Sequence, residues 1–422
     1  MRPALQDPRM QLLGSLFLAA ALAMTAVRLW LATRQLAAVR AHRAAVPQPF
    51  AASVTLTEHQ RAADYTVARL RLGRLELAFE LVLLLAVTLG GGFAWLDRAT
   101  AALALPPLWH GVVTLVLLVV GMAALGLPFA LWSTFRIEAK FGFNRTTPAL
   151  FALDLVRSLA VGLVLGVPLL AIVLALMALA GQRWWLYAWA VWVVFGLAVS
   201  FLYPRLIAPL FNRFRPLEAG AVREAVERIV ARCGFASEGV FVMDSSRRSS
   251  HGNAYFTGIG RHKRIVLFDT LLERLAPGEV EAVLAHELGH FRLHHVRQRL
   301  VLGFATALVG FAVLGTLAGQ PDFYAALGVP TPSRHAALAL FALLVPVFTF
   351  PLAPLASWWS RRHEYAADRY AARHSDARAL ATALVKLYRD NGSTLTPDRL
   401  YSAWHDSHPP AVARIAALGQ QA

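Results

Sequence analysis

Seven blocks of nearly unbroken apolar residues divide this chain, near 10–32, 75–97, 108–133, 151–180, 184–204, 299–320 and 336–358. Each is long enough for the roughly 20 residues a helix needs to cross a bilayer. The apolar positions run continuously instead of recurring at helical spacing, so the blocks read as membrane spans. The first is too long for a secretory signal core, and Asp7 precedes it beside Arg2 and Arg9; it is predicted to stay as an anchor. The pattern predicts four regions. These are a five-span segment (1–204), a polar segment (205–298), spans six and seven (299–358) and a polar C-terminal segment (359–422).

Within 205–298 the pattern predicts a helix from Leu217 to Cys233 and short strands at 239–243 and 264–268. Between the strands lies Asn253-Ala254-Tyr255-Phe256-Thr257-Gly258, an extended aromatic segment of the edge-strand kind. A helix covering 286–290 then runs directly into the sixth span. The loop 32–74 holds a Pro-Gln-Pro turn at 47–49 and an amphipathic stretch from Thr57 to Arg74. The fold class is therefore a membrane all-α protein with a mostly helical polar domain carrying a small β element.

Composition agrees, since 57% of the 422 residues are hydrophobic, above the 45–50% usual in soluble domains. The formal charge of +16 suggests nucleic acid until its distribution is read. With the N-terminus outside, 34 of the 41 Lys and Arg fall on inner segments. That is the positive-inside asymmetry, so the charge reports topology and contact with anionic lipid. No aromatic-interleaved basic motif supports nucleic-acid binding. Cys233 is the only cysteine, so a disulfide within the chain and a thiolate metal cluster are both excluded.

Chemistry enters at His286-Glu287-Leu288-Gly289-His290. Helical residues four apart share a face, so both imidazoles can reach one ion, and Glu287 lies close enough to act on a water there. A catalytic zinc usually takes three protein ligands. His294 follows on the expected helix, one turn too far along to join the first two, and suits an outer role better. A second source is Glu364, with Asp368 four residues on, able to fix a ligating His through its far nitrogen. Arg361, Arg362, Arg369 and Arg373 surround that pair, so a solvated, salt-bridged helix is an equal reading from spacing alone.

The chain resembles the type I CAAX prenyl endopeptidases, integral-membrane zinc metalloproteases. The likeness is carried by Phe141-Gly142-Phe143-Asn144-Arg145, Ile207 to Asn212, Ser245 to Gly258, Lys263 to Thr270 and Ser407-His408-Pro409, together with the motif at 286–290. The resemblance implies seven transmembrane helices enclosing a chamber, capped at its cytoplasmic end by one zinc ion. It implies His286, His290 and Glu364 as ligands, Glu287 as catalytic base and Asp368 as the orienting partner. It further implies Asn253, Ala254 and Tyr255 as a substrate-pairing strand and His408 as an oxyanion donor. The expected activity is metal-dependent endoproteolysis of peptides or proteins, some of them C-terminally prenylated. An Ala/Leu/Arg-rich usage reads as bacterial, which places the protein in an inner membrane with its site facing the cytoplasm; in most bacteria a prenylated substrate does not follow. The alternative is an inactive scaffold or transporter that binds peptides.

Overall fold

The computed structural model describes residues 8–235, 239–257 and 264–420. Arg2, Asp7, Gly258 and Lys263, named above, lie outside them. Long helices build the N-terminal half: α1 (Pro8–Ala41), α2 (Leu56–Val87), α3 (Gly92–Ala101), α4 (Pro107–Trp132), α5 (Pro148–Leu179) and α6 (Trp184–Leu202). After the single-turn α7 (Ala208–Phe211) come α8 (Ala221–Arg232), α9 (Asp269–Leu272) and α10 (Pro277–Arg292), interleaved with strands. The remainder is α11 (His295–Leu317), α12 (Pro321–Ala325), α13 (Arg334–Thr349), α14 (Ala353–His374), α15 (Ala377–Asp390), α16 (Arg399–His405) and α17 (Ala411–Gly419). Among the described residues, six helical runs are long and apolar enough to span a bilayer, and seven if α2 and α3 count as one bent span. Their outer surfaces are bare aliphatic: Val164 is 71% and Leu179 84% exposed, as lipid contact requires.

The second span departs from its expected course. The helix begins at Leu56, capped by Thr55 with Glu58 answering in a capping box, so the amphipathic stretch is its first half. It then stops at Val87 and resumes as α3 after a 54° bend. Gly90-Gly91-Gly92 causes the break. Gly91 has a left-handed φ of 73°, and a Cβ on Gly90 or Gly92 would lie 2.8 Å from the Ala86 carbonyl oxygen.

The polar half holds a four-stranded sheet in the order β1-β2-β4-β3, from Phe214–Pro216, Gly239–Met243, Ala254–Thr257 and Arg264–Phe268. β1 was not expected; three residues carry no readable periodicity. β2 and β4 pair parallel, and β3 pairs antiparallel with β4 at an edge, Ala254 opposite Leu267 and Tyr255 opposite Val266. The helix expected from Leu217 starts at Ala221, after Gly220 at φ 148°. Ile229, Leu271, Leu284, Leu288 and Leu380 form the core that fixes α8, α10 and α15 together. Each such side chain contributes about 1.5–3 kcal/mol on burial. Cys233 is buried and free.

Two corrections bear on the site. α10 does not run into the sixth span: it ends at Arg292, His294 turns left-handed at φ 60°, and α11 starts at His295. The last span, by contrast, does not end near 358. α13, a 3-10 turn at Phe350–Leu352 and α14 follow one another without a loop, so the helix holding Glu364 extends directly from the membrane.

Candidate metal centre

α10 and α14 cross at Gly289. A Cβ there would stand 3.1 Å from Ala367 Cα and 3.1 Å from Tyr370 Cβ, so a glycine facing alanine permits the approach. Ala367 and Ala371, one turn apart on α14, are fully buried. This contact brings Glu364 against the two histidines. His290 Nε2 lies 3.2 Å from His286 Nε2. The Glu364 carboxylate is 3.3 Å from His290 Nε2 and 3.5 Å from His286 Nε2. Donors held about 2.0–2.1 Å from a tetrahedral zinc are separated by about 3.3 Å, so the three edges fit that ion. Glu364 Oε2 is also buried without a hydrogen-bond partner, a costly state that a cation relieves.

Each ligand candidate is held from behind. His286 Nδ1 lies 2.7 Å from Asp368 Oδ1, which leaves Nε2 as the metal-facing nitrogen. Arg414, buried on α17, holds Asp368 in a fork, its Nε 2.9 Å from Oδ2 and its Nη2 2.6 Å from Oδ1. Burial alone would lower the His286 pKa, but Asp368 and Glu364 outweigh it and raise the ring to about 9. Because a metal takes the neutral ring, binding competes with protonation of His286. Burial pushes the half-buried Glu287 carboxyl above its usual value, against the pull of both histidines.

His290 is backed by a different group from the one weighed in sequence. Its Nδ1 lies 3.0 Å from His295 Nδ1, and His295 stacks face to face on His363 with centroids 3.9 Å apart. The left-handed His294 turns the chain so that its neighbour reaches the site, while His294 itself stays out of the donor cluster. Two of the surrounding arginines are engaged away from Glu364 and Asp368. Arg361 donates to the carbonyls of Ser402, Ala403 and Asp406, and Arg362 lies over Trp358.

His408 brings Nε2 to 3.5 Å from Glu364 Oε2, and Ser407 Oγ lies 3.0 Å from its Nδ1. Its side chain is 60% exposed and lines a cavity of about 980 Å³ with Arg28, Arg69, Glu76, Glu80 and His251. Asn253, Ala254 and Tyr255 lie outside the donor cluster, on and just before edge strand β3, which packs against α10. Arg414 and His295 were not singled out from sequence. Arg414 carried no spacing signal, whereas the paired His294-His295 marked the right place without saying which ring turned inward.

Residues 35–213 match the family described as "CAAX prenyl protease N-terminal, five membrane helices", and residues 216–422 match peptidase family M48. The CAAX prenyl protease 1 homolog of Arabidopsis thaliana is 38% identical over 297 residues, 69% of each chain. The Homo sapiens homolog is 33% identical over 73% of each, and that of Caenorhabditis elegans 31% identical over 90% of this chain and 92% of its own. The crystal structure of S. mikatae Ste24p superposes with a TM-score of 0.91 at 28% identity, covering 96% of this chain and 99% of that one.

Proposed function

The chain belongs to the CAAX prenyl protease 1 (Ste24) family of M48 zinc metalloproteases, and from that premise we propose that His286, His290 and Glu364 bind one catalytic zinc and Glu287 is the general base. The carrying observation is the set of donor separations, 3.2, 3.3 and 3.5 Å, around one point. When bound, zinc polarises the scissile carbonyl and brings an adjacent water towards a pKa of about 7. Glu287 takes that water's proton on its carboxylate and returns it to the leaving amine. Its raised pKa suits a group that must keep the proton between the two steps. Asp368 fixes the tautomer of His286, and Arg414 fixes Asp368. His408 donates from Nε2 to the carbonyl oxygen as charge develops there, an effect typically worth about 3–4 kcal/mol.

Asn253, Ala254 and Tyr255 hold the peptide extended along the outer side of β3, by strand addition. The substrates are peptides or proteins brought to the cavity beside the membrane, prenylated ones among them by family. The protein is a multi-pass integral membrane protein; its basic segments favour the cytoplasmic face for the site, in a bacterial inner membrane, with a role in membrane-protein processing or quality control. A peptide-binding scaffold or transporter would have no use for a buried carboxyl between two metal-facing histidines. The test is purified Glu287→Ala, expected to retain zinc and lose cleavage of a prenylated peptide by at least about 10²–10⁴-fold. Full activity in that variant would defeat the assignment. Chelation of the wild type should abolish cleavage, and zinc should restore it.

A further inference from the structure

A second convergence of histidine and carboxylate lies at the other end of the membrane helices. From His335 to Glu364 the helical run covers about 40 Å at 1.5 Å per residue, so the two clusters are remote. The Gly90–Gly92 break turns α3 by 54° from α2, and α3 carries Asp97 to the starts of α4 and α13. There Asp97 Oδ1 lies 2.7 Å from His335 Nε2 and 3.2 Å from His110 Nε2. One donor atom from each of the three residues falls within 4.8 Å of the others, the same relation that holds at His286, His290 and Glu364. The rings of His110 and His335 meet edge to face with centroids 5.0 Å apart.

The surroundings are arranged for these rings. His335 is seated over Gly111, where a Cβ would stand 3.1 Å from the imidazole Nδ1. Thr100 Oγ1 lies 3.1 Å from His110 Nε2 and is itself fixed by Thr114 Oγ1 at 2.6 Å. Ser333 Oγ lies 3.2 Å from His335 Nε2. Side-chain exposure is 9% for His335 and 20% for both Asp97 and His110, so the group is sheltered and still reachable. Both Nε2 atoms face one carboxylate oxygen. Each ring can donate an Nε2–H to that oxygen, and a divalent cation taking the same two nitrogens and the carboxylate would tie all three groups through one centre.

We propose that Asp97, His110 and His335 form a second metal site that takes a divalent ion of the zinc class through two imidazoles and one carboxylate. Two nitrogens and an oxygen suit zinc, cobalt or nickel over magnesium or calcium. The ion replaces the hydrogen bond between Asp97 and His335, and that edge opens from 2.7 Å towards the 3.3 Å or so of a tetrahedral site. It ties α3 and α4 to α13, whose helical run continues to Glu364.

The test measures zinc per chain on untagged full-length protein in detergent, stripped with chelator and re-equilibrated with zinc alone. We expect two equivalents in the wild type, one in Glu364→Ala, one in His110→Gln and none in the double variant. His110→Gln should keep peptide cleavage while its far-site affinity falls at least about 100-fold, beyond what an outer-shell change costs. One equivalent in the wild type with none in Glu364→Ala overturns the proposal. Two in Glu364→Ala with one in the double variant would sustain it and overturn the catalytic ligand assignment instead. As a check on folding, zinc should raise the melting temperature of Glu364→Ala but not of Glu364→Ala with Asp97→Asn, which keeps the shape of the aspartate. An equal rise in both, or none in either, also counts against the site.

Discussion

The two ends of this molecule use the same side chains to different degrees of completion. At the α10–α14 crossing, three donors sit 3.2–3.5 Å apart, and Asp368 and His295 engage the far nitrogens of the two histidines. At the α3–α4–α13 end, one edge has closed to 2.7 Å, and the neighbours Thr100 and Ser333 contact Nε2 itself. The first arrangement keeps its donors apart by outside support; in the second, Asp97 and His335 are drawn together by a direct hydrogen bond. The difference teaches that a catalytic site is marked less by its ligand types than by what holds them from behind. The first also has a half-buried carboxyl, Glu287, beside two of its donors.

The comparison can be broken most severely at Glu364. Glu364→Ala should lose the catalytic zinc and all measurable cleavage, leaving the far end intact; metal analysis with a peptide assay reads both. Asp368→Asn removes the charge behind His286 and should weaken catalytic zinc by about 10–100-fold, read by competition with a chromophoric chelator. Gly289→Val forces α14 away from α10 by overpacking, at a typical cost of about 1–3 kcal/mol. Zinc affinity and cleavage should fall together, with the far-end contacts unchanged. If Gly289→Val binds zinc as the wild type does, the close crossing is not what assembles the site.

The smallest effect is expected away from both clusters, at Asp398, which caps α16 and pairs with Arg34 of α1. Asparagine keeps a capping oxygen, so Asp398→Asn removes chiefly the charge that pairs with Arg34, worth about 0.2–1 kcal/mol. Burial alone would raise the Asp398 carboxyl, but Arg34 and the Tyr401 and Leu400 N–H groups hold it below the usual range. A depressed folded pKa adds stability above the unfolded value and loses it as pH falls through the folded one. Thermal melting of wild type and Asp398→Asn should therefore differ near pH 7 and converge below about pH 4.

Much of the fold was legible because membrane spans and helical faces are local signals. His286 and His290 could be paired from their four-residue spacing, and the edge position of Ala254 and Tyr255 from composition. The break at Gly90–Gly92 was legible only in part: the glycines were visible, but a long apolar run masks a bend. Glu364 stood level with a salt-bridged surface helix until packing separated them. His295 was hidden beside His294, since the left-handed turn that selects one ring depends on what the next helix meets. Arg414 lies 128 residues from His286 with no periodicity to connect them.

The sequence alone determined the apolar runs, the basic side of the membrane and the two metal-facing histidines, because each depends on neighbours within a few turns. Tertiary structure decided the rest. It chose Glu364 over a solvated face, turned His295 inward, buried Arg414 under Asp368 and brought Asp97 against His110 and His335. Such contacts join distant segments through close packing, as at Gly289 against Ala367, and a separation of 3 Å between helices leaves no local trace in the order of residues.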